Sequence, residues 1–157
     1  MSAIHPEIDP EGLLEYSVVF TDRSLNHMSA QFQDVMKELS AGLKEVYQAD
    51  AVAIVPGGGT FAMEAVARQF ATDRRVLVLR NGWFSFRWSQ ILEMGGISSE
   101  VTVLKAQQVD DQPTAPFAPP ALDLVLAEIA EAQPQVVFAP HVETSCGMML
   151  PDDYIHA

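Results

Sequence analysis

The sequence predicts a layered α/β fold with a largely parallel sheet. Short apolar runs at residues 51–55, 76–79, 101–104 and 136–139 alternate with stretches whose apolar residues recur at helical spacing. That alternation calls for strands joined by crossover helices, which place helices on both faces of a parallel sheet. Each run is too short for a helix and nearly all apolar, as a strand covered on both faces must be.

Composition sets the outer limits. The chain has 157 residues, 48% of them hydrophobic, which suits one domain with a sizeable core or part of a larger one. The formal net charge of −12 argues against nucleic acid and anionic membranes as partners, since both are negatively charged. No apolar run approaches the ~20 residues of a membrane-spanning helix. The N-terminus lacks a basic segment followed by an apolar one. Cys146 is the single cysteine, so no internal disulfide can form, and a cytoplasmic setting is expected.

In chain order, residues 1–23 read as an N-terminal arm, broken by Pro6, Pro10 and Gly12, with a short β-rich run at 16–20. Residues 29–48 predict a long helix. Phe32, Val35, Met36, Leu39, Leu43, Val46 and Tyr47 recur at helical spacing and are expected to pack on a core, with Lys37, Glu38, Lys44 and Glu45 on the other face. The strand at 51–55 leads through a glycine turn into a second helix running to about Phe70. A polar break at 72–75 precedes the strand at 76–79, and Arg80-Asn81-Gly82 turns the chain into a helix over 83–94. After the strand at 101–104, the proline-rich polar stretch 107–120 reads as a surface loop. A helix over 122–132, a strand at 136–139 and a loop at 140–147 follow, and a further helix starts near Pro151. A sheet that stops there leaves an edge to be paired, by another chain or by a longer continuation of this one.

The glycine turn has the most chemical content. Gly57, Gly58 and Gly59 remove three side chains in a row, so backbone N–H groups can approach a ligand closely. Thr60 is a plausible N-cap with its hydroxyl on the same side. A helix N-terminus carries unpaired donors and partial positive charge, a ready seat for a phosphate. The competing reading is a plain turn that binds nothing. Ligands on parallel sheets sit at the carboxyl ends of the strands, where the loops at 56–60, 80–84 and 141–147 are expected to converge.

Pro56-Gly57-Gly58-Gly59-Thr60, Asn81-Gly82-Trp83-Phe84-Ser85-Phe86-Arg87 and His141-Val142-Glu143-Thr144-Ser145-Cys146-Gly147 together resemble, in order and spacing, the class V aminotransferases. These are the alanine–glyoxylate and serine–pyruvate branch of the fold-type I enzymes that use pyridoxal 5'-phosphate (PLP). His27-Met28-Ser29-Ala30-Gln31-Phe32 also resembles the segment that opens that family's first long helix. The resemblance spans about residues 24–150. It implies that residues 24–157 are the first part of the family's large domain, the C-terminal remainder lying outside this sequence. It implies PLP as cofactor, with Gly58, Gly59 and Thr60 holding the phosphate, Phe84 lying on the pyridine ring, and Thr144 hydrogen-bonding near the phenolic oxygen. It further implies transfer of an amino group between a small amino acid and a 2-oxo acid such as glyoxylate or pyruvate, in a homodimer.

Two departures accompany it. The family's Gly-Pro-rich segment near the N-terminus is not matched by residues 8–14. Neither the imine-forming lysine nor the aspartate that pairs with the pyridine nitrogen has a counterpart here. No catalytic residue is therefore identifiable, and this stretch alone is expected to be inactive. Lys37 and Lys44 sit on the polar face of the long helix, and Lys105 ends the third strand without the family's serine or glycine context. Other readings stay open: a PLP-dependent carbon–sulfur or carbon–carbon lyase of the same fold, a non-catalytic module that binds a phosphate ligand, or an NADP-binding domain using Gly57-x-Gly59-x-x-Ala62 with Arg80. Apart from the resemblance, Phe84 reads as core, Thr144 as a turn residue, His141 as structural, Trp83 and Trp88 as packing or interface, and Arg87 as half of a surface ion pair. His141, Glu143 and Cys146 give too few ligands for a metal site.

Overall fold

The computed structural model describes residues 30–157, which belong to two units divided between Ile54 and Val55. The arm at 1–23, with its β-rich run, lies outside the described residues. In the first unit, α1 (Ala30–Tyr47) forms where the periodicity places it, with Lys37 and Asp34 one turn apart and 3.1 Å from each other. The expected core packing of its apolar face is not found: Val35, Leu39, Leu43, Val46 and Tyr47 are exposed, and Phe32 and Met36 are only half-buried.

Residues 51–55 form no strand, against the sequence expectation. A strand exists by pairing its N–H and C=O groups, and no sheet edge among the described residues pairs with these. An apolar run supplies the propensity but not the neighbour.

The second unit opens with α2 (Gly59–Ala71), then β1 (Arg75–Arg80), α3 (Trp83–Met94) and β2 (Glu100–Lys105). It continues through β3 (Gln107–Gln108), β4 (Phe117–Ala118), α4 (Leu122–Ala132), β5 (Val136–Phe138), β6 (Val142–Glu143), β7 (Met148–Met149) and α5 (Asp152–His156). The main sheet has the order β2-β1-β5 and both pairings are parallel, with Val76 beside Val101 on one side and Val136 on the other. Its central strand alternates between two cores. Val76 and Val78 face Ala67 and Ala71 of α2, Leu92 of α3, Ile97 and Phe138. Leu77 and Leu79 face Val125 of α4 and Leu150. Helices thus cover both faces, and this second unit is a three-layer α/β structure around a parallel sheet. Trp88 is a packing residue, its ring stacked on Phe138 at 4.2 Å between centroids.

Two hairpins appear where loops were expected. Within 107–120, β3 pairs antiparallel with β4, and the Val109 N–H donates to the Pro116 carbonyl at 3.0 Å. Within 140–149, β6 pairs with β7, and the Leu150 N–H reaches the His141 carbonyl at 2.7 Å. Strands of two residues are too short to show a periodicity of two. No helix among the described residues is long and apolar enough to cross a membrane.

Candidate functional site

Because β1 and β5 are neighbours, the segments leaving their carboxyl ends lie side by side. The first runs into α3 and the second into the β6–β7 hairpin, and Glu143 joins them. Its carboxylate is 1% exposed. Oε1 accepts the Phe84 N–H at 3.0 Å and Oε2 accepts the Ser85 N–H at 2.8 Å. The hydroxyls of Ser85 (2.7 Å, to Oε2) and Ser145 (to Oε1) donate to the same group. Ser145 Oγ also accepts the Trp83 N–H at 3.0 Å, and Ser85 Oγ accepts those of Asn81 and Gly82 at 2.8 and 2.9 Å. The first three amides of α3 are therefore all filled by side chains. Burial works to raise the Glu143 pKa. Hydrogen bonds from the Ser145 hydroxyl, the Ser85 and Phe84 amides and the Ser85 hydroxyl outweigh it and hold the carboxyl at about 2, against an ordinary 4.5. The group is an anion seated at a helix N-terminus, where the dipole favours it. With every oxygen engaged in this way, Glu143 is not free to join a metal site with His141 and Cys146.

Gly82 is needed for this approach. A Cβ at that position would stand 2.5 Å from Glu143 Cγ and 2.7 Å from both Glu143 Cδ and Ser145 Oγ. Gly82→Ala is expected to push the carboxylate off the helix and cost about 1–3 kcal/mol, the range for overpacking a tight site. Urea unfolding at neutral pH measures this, and an unchanged midpoint would show that the hairpin yields freely.

The other helix start is bare. Gly57 has φ +129°, open to glycine, and a Cβ on it would meet the Phe61 ring at 2.8 Å. Gly58 and Gly59 differ: a Cβ on either meets nothing within 4 Å. The first glycine shapes the turn and the next two leave it uncovered. The Phe61 N–H is taken by the Gly58 carbonyl at 2.9 Å, while the Gly59 and Thr60 amides are first-turn donors with no intrahelical acceptor. Thr60 does not cap the helix as expected. Gly58 holds the N-cap position, and no side chain, that of Thr60 included, makes a cap hydrogen bond there. Its hydroxyl instead accepts a long hydrogen bond from Arg87 Nη1 at 3.5 Å.

Arg87 links the two helix starts. Its guanidinium lies 4.8 Å from the centroid of the Phe84 ring and reaches Thr60. It has no carboxylate partner among the described residues, so the expected surface ion pair is not present. Phe84 is 39% exposed, too open to be a core residue. Thr144 is exposed in the β6–β7 turn, held beside the start of α3 by its neighbours Glu143 and Ser145. A cavity of about 460 Å³ between α2 and α3 is lined by Thr60, Glu64, Arg68 and Arg87 among others. Gly58, Gly59, Phe84 and Thr144 do not line it. Cys146 donates to the Asn81 carbonyl at 3.3 Å. The sequence reading missed the Glu143–Ser85–Ser145 cluster. Its one local signal is Ser85, three residues beyond the turn glycine, where a hydroxyl can reach back to the open amides.

No protein-family profile matches the chain. Among curated proteins it is 29% identical over 127 residues to the small subunit of a soluble hydrogenase from Synechococcus sp. (strain PCC 6716), which covers 80% of this chain and 31% of that one. Among solved structures it is similar to ureidoglycine–glyoxylate aminotransferase from Bacillus subtilis, with a TM-score of 0.66 and 23% identity over 85% of this chain and 33% of that chain. The chain spans about a third of the length of these relatives. The structural likeness shows the fold: the α/β layers and parallel sheet match part of an aminotransferase.

Proposed function

We propose that this chain is the cofactor-cradling part of a PLP-dependent aminotransferase of the class V type, which moves an amino group between a small amino acid and a 2-oxo acid such as glyoxylate or pyruvate. One observation carries the reading. Helices α2 and α3 both begin at this edge of the unit, and they are electrostatically unlike. The start of α3 is filled by the protein's own carboxylate, Glu143. The start of α2 has bare glycines, open amides and, at Thr60, an arginine with no carboxylate partner among the described residues. The start of α2 is therefore open to an anion, and it is beside an exposed aromatic ring.

The residues fit the cofactor. Gly58, Gly59 and Thr60 would hold its phosphate through backbone amides and the hydroxyl, with Arg87 adding positive charge. Phe84, steadied by the same arginine, would lie against the pyridine ring. The Thr144 hydroxyl would meet the phenolic oxygen. The cofactor itself supplies an electron sink for exchanging an amino group with a carbonyl oxygen. The protein's part here is grip and orientation: Glu143 locks the first turn of α3 and so fixes where Phe84 stands. A homodimer and an imine-forming lysine elsewhere in the full-length protein belong to the same proposal.

The alternatives fare unequally. A lyase of the same fold uses the same cradle and differs only in the reaction. A dinucleotide site needs its glycine turn to follow a strand of the parallel sheet, and residues 51–55 pair with no strand among those described. The hydrogenase name of one relative is not carried over, because this chain spans only 31% of that protein at 29% identity. The test is optical. Full-length protein mixed with PLP is expected to gain a visible absorption band that borohydride abolishes. A spectrum equal to that of free PLP would overturn the proposal.

A further inference from the structure

On the other side of the start of α3 lies a second open groove, about 430 Å³, lined by Arg80, Asn81, Trp83, Phe86, Lys105 and Phe117 among others. It shares no lining residue with the α2–α3 cavity. Arg80 and Lys105 are in-register neighbours at the carboxyl ends of the parallel strands β1 and β2. Like charges side by side repel. In a chain of net charge −12 an acidic neighbour would be easy to supply, yet neither cation has an acidic partner among the described residues. The Arg80 guanidinium lies 5.2 Å from the Phe86 ring centroid, which holds it in place without neutralising it. Trp83 and Phe117 are 57% and 56% exposed at the rim.

We propose that this groove binds a small aromatic carboxylate, its charge between Arg80 and Lys105 and its ring against Trp83, Phe86 and Phe117. The two cations supply the anion's counter-charge, and the aromatic rim selects a flat body over a bare ion. The site stands apart from the proposed cofactor cradle and does not depend on it.

Calorimetric titration of the full-length protein separates the terms. Benzoate provides charge and ring, benzamide the ring alone, and acetate the charge alone. Benzoate is expected to bind saturably, and the other two at least about tenfold more weakly. Arg80→Gln is expected to weaken benzoate about tenfold. Lys105→Glu places a carboxylate beside Arg80 and fills the site from within. It is expected to abolish benzoate binding while the thermal midpoint stays level or rises, which separates lost binding from lost folding. Equal affinity for acetate and benzoate, benzoate binding unchanged in Lys105→Glu, or no benzoate binding at millimolar concentration would each overturn the proposal.

Discussion

Glu143→Gln is expected to destabilise the fold by about 3 kcal/mol, although the side chain keeps its shape. Both carboxylate oxygens accept, from two backbone amides and two hydroxyls. An amide can replace only one oxygen as an acceptor. Its NH₂ would face the N–H of Phe84 or Ser85, so one buried donor loses its partner and another is forced against it. The dipole of α3 loses its anion as well. The same group sets an acid limit. Its pKa is depressed in the folded chain, about 2 against 4.5, so its stabilisation is complete above about 4.5 and disappears as pH falls through about 2. The gap is worth about 3 kcal/mol. Urea unfolding of both proteins at a series of pH values measures this. The natural chain should lose stability from about pH 5 downward more steeply than the variant, and the two should converge near pH 2. Parallel profiles would show that Glu143 is not the titrating anchor.

The same residue marks where the sequence could be read and where it could not. Helices α3 and α4 begin and end at the residues their periodicity indicates, 83–94 and 122–132, because a helix is written in contacts three and four residues apart. The strand Val76–Leu79 is legible for a related reason: it is buried on both faces and therefore apolar at every position. Residues 51–55 have that composition too, but a strand requires a partner edge, and no described strand offers one. Glu143 is 58 residues from Ser85, and nothing local to either announces the pairing. Arg87 falls between. Its charge is plain from the sequence, but that it stacks on Phe84 and reaches Thr60 depends on how α2 and α3 pack. The glycine triplet was legible as a turn. That Gly57 carries the unusual backbone while Gly58 and Gly59 merely leave space emerges only from the fold.

That division makes Gly59→Glu the sharpest test of the cradle. A side chain at Gly59 meets nothing within 4 Å, and the residue has no positive φ, so the variant should fold as the parent does. A carboxylate in the first turn of α2 should even stabilise the helix by about 0.3–1 kcal/mol through its dipole. It would occupy the open amides that the proposed phosphate needs, and repel the phosphate's charge. PLP affinity, followed by fluorescence quenching or by retention on dialysis, is expected to fall at least about a hundredfold, since charge repulsion adds to the loss of charge-assisted hydrogen bonds. Thr60→Val removes only a hydroxyl and should cost less, about tenfold at most. The order of the two effects matters as much as their size. A helix start that binds through its backbone must lose more to a resident carboxylate than to a missing side-chain oxygen. If Gly59→Glu keeps its cofactor while Thr60→Val releases it, the phosphate is held by side chains and the amides of α2 are bystanders. If both keep it, the anion sits elsewhere, and Phe84 with Arg87 is a surface cluster with no part in the chemistry.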